Sequence, residues 1–134
     1  MRALNLREVV ATFRAPLRTV RLMRLTAGSV IKEHHDVDLS FEDGSVRLHI
    51  PVVTNDGVEF LLNGTRVILK AGSCWYLRLS DPHSVANRGT EDRVHLVIDA
   101  SVNEWVGGVF EQALAQNPVA RAEPVAYDPL MGRC

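Results

Sequence analysis

The sequence is short of cysteine, of any excess charge and of long apolar runs, and each shortage excludes a class of protein. Its two cysteines, Cys74 and Cys134, lie far apart, the second at the last position, which is not the spacing of a disulfide-stapled secreted domain. Reduced thiols in the cytoplasm are the expectation. The 15 basic and 16 acidic residues are interspersed and leave a net charge of −1, with no phosphate-tracking groove or polybasic membrane patch. Nucleic acid is therefore not an expected partner. No run approaches the roughly 20 apolar residues that span a bilayer. The opening "MRALNLREVVATFRAP" carries charges where a secretory signal has its apolar stretch. The expectation is a soluble cytoplasmic protein with no membrane partner. Repeats and low-complexity blocks are also lacking, and 134 residues suffice for one domain with a real core.

What is present is a succession of short β-rich runs. "NLREVVATF" places Leu6, Val9, Val10 and Phe13 at helical spacing and Pro16 then stops it, predicting one short N-terminal helix. From Thr19 onward come "TVRLMRL", "SVIKEHHD", "VRLHIPVVT", "VEFLL", "RVILK", "CWYLRL", "HSVAN" and "RVHLVIDA". Turn signals such as Asp43-Gly44, Asn55-Asp56-Gly57, Asn63-Gly64 and Ala71-Gly72 separate them. Eight strands without αβ alternation predict an all-β, double-sheet jelly roll or cupin-like barrel. "VNEWVGGVFEQALAQ" predicts a short C-terminal helix beginning after Gly108, because Gly107-Gly108 weakens the pattern before it. The expected division is a single domain over residues 1–116 and a surface or disordered tail over residues 117–134, which hold three prolines and no periodicity.

The densest polar stretch is "IKEHHDVD", residues 31–38. Strand side chains alternate between faces, so His34 and Asp36 share one face and His35 takes the other. An H-x-D pair supplies two legs of the two-histidine, one-carboxylate triad of non-haem Fe(II) oxygenases. A third leg must come from His83, His49 or His95; His83 opens a late strand that a jelly roll can bring beside an early one. Taken alone, H-x-D also fits two polar residues that fall together by chance on an exposed strand end. Spacing adds to it. His34 follows Gly28 with five residues between, and His83 follows Gly72 with ten between, with Asn87 completing H-x-x-x-N. These halves resemble the two cupin motifs.

Together, "RLMRLTAGSVIKEHHDVDL", "VRLHIPVVTNDGVEFLLNG" and "AGSCWYLRLSDPHSVANRGTEDRVHLVID" resemble the aspartyl/asparaginyl β-hydroxylase domain, a branch of the Fe(II)- and 2-oxoglutarate-dependent dioxygenases, over about residues 20–105. The resemblance implies a double-stranded β-helix with His34, Asp36 and His83 as iron ligands. It further implies that Arg93, ten residues after His83, binds the distal carboxylate of 2-oxoglutarate, with Arg47 and His49 helping from a neighbouring strand. The implied reaction uses O2 to hydroxylate an amino acid, free or in a peptide, and releases succinate and CO2. Met23 stands where some members carry a cosubstrate-binding serine, whereas Asp36 supplies a carboxylate that some animal members lack.

Other readings remain open at this level. A metal-binding cupin of another class, such as an isomerase or a cofactor-independent dioxygenase, would use Arg93 structurally; a non-enzymatic jelly roll would bind a small ligand or a partner strand. His95 shares a strand face with Arg93, and its plainer reading is a packed histidine. Arg88 could face the mouth, although a surface arginine is the simpler reading. Trp105 is expected to anchor the closing segment on the sheet. Open sheet edges are consistent with a homodimer.

Overall fold

Along Arg93–Ser101, Arg93, His95 and Asp99 alternate with aliphatic residues, broken only by Val97 on their own side, so a strand there presents two unlike faces. In the computed structural model, which describes residues 6–116, this segment is a central strand and both its faces are covered. The tail expected over residues 117–134 lies outside the described residues.

The described residues form eight strands: β1 (Leu17–Leu25), β2 (Val30–His34), β3 (Ser45–Val53), β4 (Val58–Leu62), β5 (Thr65–Val67), β6 (Trp75–Tyr76), β7 (His83–Asn87) and β8 (Arg93–Ser101). They make two antiparallel sheets, a major one ordered β1-β8-β3-β6 and a minor one ordered β2-β7-β4-β5. Consecutive strands thus fall mostly in opposite sheets, the winding expected of a double-stranded β-helix. All eight expected strands occur, but two are shorter than the apolar runs that announced them. "RVILK" is paired only to Val67, and "CWYLRL" only at Trp75–Tyr76 against Leu48 and His49. Leu69, Leu77 and Leu79 nevertheless sit in the core, so their hydrophobicity records burial of a segment crossing between sheets rather than ladder pairing.

Two apolar clusters divide the fold. The inter-sheet cluster holds Leu25, Phe60, Leu62, Leu77, Leu79 and Val85. The other lies on the outer face of the major sheet, where Val46, Leu48, Ile50, Leu96, Ile98 and Ala100 meet Val9, Val106 and Phe110 from two helices, α1 (Leu6–Ala11) and α2 (Glu104–Gln116). The C-terminal helix differs from expectation: it begins at Glu104 and runs through Gly107-Gly108. The Asn103 side chain accepts a hydrogen bond from the Val106 amide at 3.0 Å, capping the first turn. That cap and the burial of Val106 and Phe110 outweigh a helix penalty of about 1 kcal/mol per glycine. Phe110 stacks 4.9 Å from Phe41 and lies tilted 4.7 Å from Tyr76, while Trp105, expected to anchor the segment on the sheet, meets Phe13 of the α1–β1 link edge to face at 5.7 Å and packs at the margin of this cluster.

Turn chemistry sets the registers that matter for the site. Asn63 and Gly64 both have positive φ, the two-residue turn that pairs Leu62 with Thr65. At the end of β7 the Asn87 amide donates to the carbonyls of Leu25 (3.0 Å) and Glu91 (2.8 Å), tying β1 to the β7–β8 loop. A Cβ on Gly57 would collide with the backbone of Arg88 and Gly89, so this approach requires glycine. Arg93 therefore enters β8 from a fixed loop. No helix among the described residues is long and apolar enough to cross a membrane.

Because α2 covers a sheet face rather than filling a loop, Phe110→Ala is expected to cost about 3–5 kcal/mol. It should be read as a lowered urea midpoint with an unchanged slope; a midpoint within error of the parent would mean that the helix is not part of the cooperative core.

Candidate active site

The cluster forms where the two ends of the minor sheet's first pair meet. His34 on β2 and His83 on β7 are directly opposite in register, with ring centroids 4.4 Å apart. β2 ends at His34, so strand alternation does not place Asp36; its amide instead donates to the Leu79 carbonyl at 2.8 Å. That bond brings the carboxylate 3.8 Å from Nε2 of His34 and 3.4 Å from Nε2 of His83. One donor atom from each of the three residues lies within 4.8 Å of the others. Donors about 2 Å from one ion, at right angles, would stand roughly 3 Å apart, so a small contraction closes the set.

The donor chemistry fits a divalent metal. Nδ1 of His34 is 2.8 Å from the Lys32 carbonyl and Nδ1 of His83 is 2.9 Å from the Asp81 carbonyl. A carbonyl only accepts, so each Nδ1 carries the proton and each Nε2 presents a lone pair toward Asp36. His35 is exposed and belongs to no such group. His83 is almost fully buried, with Phe60 stacked parallel to it at 6.2 Å, whereas His34 is open to solvent.

Facing this cluster, the inner face of the major sheet is polar. β3 contributes Arg47 and His49, and β8 contributes Arg93, His95 and Asp99; His49 meets Phe60 of the opposite sheet at 6.2 Å. Arg47 and Asp99 are register partners and form a bidentate pair, Nε to Oδ1 at 2.7 Å and Nη2 to Oδ2 at 3.0 Å. Thr19 Oγ1 donates to the same carboxylate at 2.8 Å, and Arg21 approaches it at 3.8 Å. Burial alone would raise the Asp99 carboxyl, but the bonds from Arg47 and Thr19 hold it below the usual range. The hydrogen bond to Asp99 in turn pushes Arg47 up. The free edge of Arg47 also reaches Asp36, Nη1 to Oδ2 at 3.8 Å, so this guanidinium bridges the cluster carboxylate and Asp99.

Arg93 is different. It is 3 % exposed, its Nε has no hydrogen-bond partner, and no carboxylate pairs with it among the described residues. Burial lowers its pKa to about 10. Nε2 of His49 is also buried without a partner, while its Nδ1 lies 3.0 Å from Nδ1 of His95. Burial, then the charge of Arg93, lowers His49 to about 3 and His95 to about 2. A buried cation and a buried ring nitrogen without partners are costly unless something fills the space between the sheets.

Of the residues singled out in the sequence, His34, Asp36 and His83 stand together, and Arg47, His49, Arg93 and His95 share the facing wall. Arg88 does not join them: it follows the far end of β7, is exposed, and approaches Glu59 at 3.8 Å. Asp99, Thr19 and Phe60 were not singled out. Strand parity could have found Asp99, three alternations after Arg93, but its pairing with Arg47 needs the β3–β8 register.

Fold and site together define a double-stranded β-helix with a His-Asp-His cluster at one end and a basic inner wall. Residues 2–102 match the model of the aspartyl/asparaginyl β-hydroxylase family, and the chain belongs to that family. Among solved structures, it is similar in fold to the non-heme monooxygenase ThoJ. The nickel complex aligns with a TM-score of 0.53 at 19% identity, over 64% of this chain and 44% of that one. Apo ThoJ aligns with a TM-score of 0.52 at 18% identity, over 64% and 46%. The chain thus spans less than half the length of that protein. A predicted oxalate decarboxylase from Thermotoga maritima aligns more loosely, with a TM-score of 0.48 at 22% identity, over 74% and 76%.

Two outcomes are expected from this geometry. His34→Ala, Asp36→Ala or His83→Ala should weaken Fe(II) or Co(II) binding by more than about 100-fold in anaerobic calorimetry, whereas His35→Ala should leave it within about twofold. Loss of binding in His35→Ala alone would place the ligands one residue out. For acid stability the sign is fixed by His49 and His95, whose folded pKa values lie below the ordinary 6.5. The unfolded chain takes up protons that the folded one refuses. Stability is complete above about pH 6.5 and falls as pH drops from there toward 3, by about 1.4 kcal/mol per pH unit for each ring. Urea unfolding between pH 7 and 4 should follow that slope, halved in His95→Leu.

Proposed function

We propose that this protein is an Fe(II)- and 2-oxoglutarate-dependent hydroxylase acting on an amino acid, free or within a peptide. The observation that carries the reading is Arg93: a buried guanidinium with no counter-ion among the described residues, on the wall that faces the His-Asp-His cluster. A dicarboxylate between them would supply the missing anion, and a planar guanidinium can grip its distal carboxylate through two parallel bonds. Family membership supports the same reading.

When bound, Fe(II) with 2-oxoglutarate and O2 would supply the oxidising chemistry for a C–H bond, with succinate and CO2 released. The chain's own part is binding and positioning. His34, Asp36 and His83 would hold the metal from one side, with the Lys32 and Asp81 carbonyls keeping both imidazoles in the ligating tautomer. Arg47, braced by Asp99, would orient Asp36. Arg93 and Nε2 of His49 would take the cosubstrate. Phe60, Leu62 and Val85 make the opposite wall, on the minor sheet, apolar and would help keep water from the reacting centre. Exposure of His34 leaves one side open for the substrate.

Anaerobic addition of Fe(II) and 2-oxoglutarate should give a weak visible charge-transfer band that Arg93→Met weakens and His34→Ala abolishes. No band with the parent protein would sink this reading in favour of a cupin that does not use the 2-oxo acid. Arg93→Met should also make the ligand-free protein more stable, by about 1–2 kcal/mol, because a buried unpaired cation is removed. The same variant should lose the rise in Tm that 2-oxoglutarate gives the parent.

A further inference from the structure

His49 and His95 face each other through the same atom, Nδ1 to Nδ1 at 3.0 Å. Two imidazoles in that arrangement cannot both carry the proton there, nor can both lack it: one donates and the other accepts. Both rings are neutral, because burial depresses both, so each has a single proton to place. Only two forms remain. If His49 donates, its Nε2 is bare; if His95 donates, the one proton of His49 must sit on Nε2.

Nε2 of His49 has no hydrogen-bond partner among the described residues, and its ring lies in the field of Arg93, Arg47 and His83. An anionic oxygen placed there needs a donor and would be repelled by a second lone pair. We propose that His95 is a positioning residue: by donating its Nδ1–H to Nδ1 of His49, it puts the His49 proton on Nε2, where it hydrogen-bonds a carboxylate or oxo oxygen of the 2-oxo acid. This rests on the 2-oxoglutarate reading above and deepens it. His95 also lines a cavity of about 430 Å³ between Thr54, Asn55, Arg66 and Lys70, on the side where the β5–β6 link crosses between the sheets. An aliphatic residue would pack the position equally well but could not select the tautomer.

The test is two-bond proton–nitrogen correlation on histidine-labelled full chain, with Zn(II) as the diamagnetic metal, before and after 2-oxoglutarate. The expected complex has His49 protonated at Nε2 and His95 at Nδ1. In His95→Leu the His49 proton should move toward Nδ1, and the KM for 2-oxoglutarate should rise about tenfold or more with kcat within about twofold. His95→Gln, whose amide can donate to Nδ1, should restore both. Binding of 2-oxoglutarate with the His49 proton on Nδ1 would overturn the role of His95 alone, as would a His95→Leu variant with unchanged tautomer and KM. Histidine resonances that 2-oxoglutarate leaves unmoved would overturn the functional reading and this inference together.

Discussion

The antiparallel pairing of β8 with β3 is the constraint on which the rest of the molecule depends. In the middle of the major sheet it keeps one register from Ser45 opposite Ser101 to Pro51 opposite His95, and shifts only before Val53 meets Val94. Because strand side chains alternate, this one register turns Val46, Leu48, Ile50, Leu96, Ile98 and Ala100 outward. It turns Arg47, His49, Arg93, His95 and Asp99 inward, with Val97 among them. A slip of one residue would exchange the two sets, leaving five polar groups against the helices and six aliphatic ones around the cluster.

That arrangement explains an unusual division of labour. In a jelly roll the space between the sheets is the obvious place for the main apolar core, yet here half of that space is lined with bases and a carboxylate. The apolar surface lost there is recovered outside, where α1 and α2 cover the major sheet. The inner wall is then free to be polar, and its members are not equally satisfied. Arg47 and Asp99 complete each other, while Arg93 and the Nε2 of His49 do not. Arg93 thus carries a desolvation cost that, on the proposed reading, an anion between the sheets would relieve.

Much of the fold was legible from the chain. Turn residues and apolar runs located all eight strands; the first helix occurs but ends at Ala11, short of Phe13 and well before Pro16. The errors share one cause: local pattern reports burial and propensity, not pairing. "RVILK" and "CWYLRL" are hydrophobic because they cross the core, but few of their residues join a ladder. Gly107-Gly108 argues locally against helix, yet a capped first turn and the packing of Val106 and Phe110 override it. At the site, parity set His34 apart from His35, and motif spacing together with the family resemblance led to the set His34, Asp36 and His83. Parity named Asp36 for a reason the structure replaces, since a hydrogen bond to Leu79 rather than a continuing strand aims it.

By itself the sequence determined the strand inventory, the facing of residues along each strand and the candidate ligands, because those follow from turn chemistry, two-residue periodicity and spacing. Tertiary structure alone decided which strands are neighbours, and with that which charges are paired. Arg47 and Arg93 look alike in the chain, each two residues before a histidine. Only the register that sets Asp99 beside Arg47, and no acid beside Arg93 among the described residues, leaves one guanidinium paired and the other without a carboxylate.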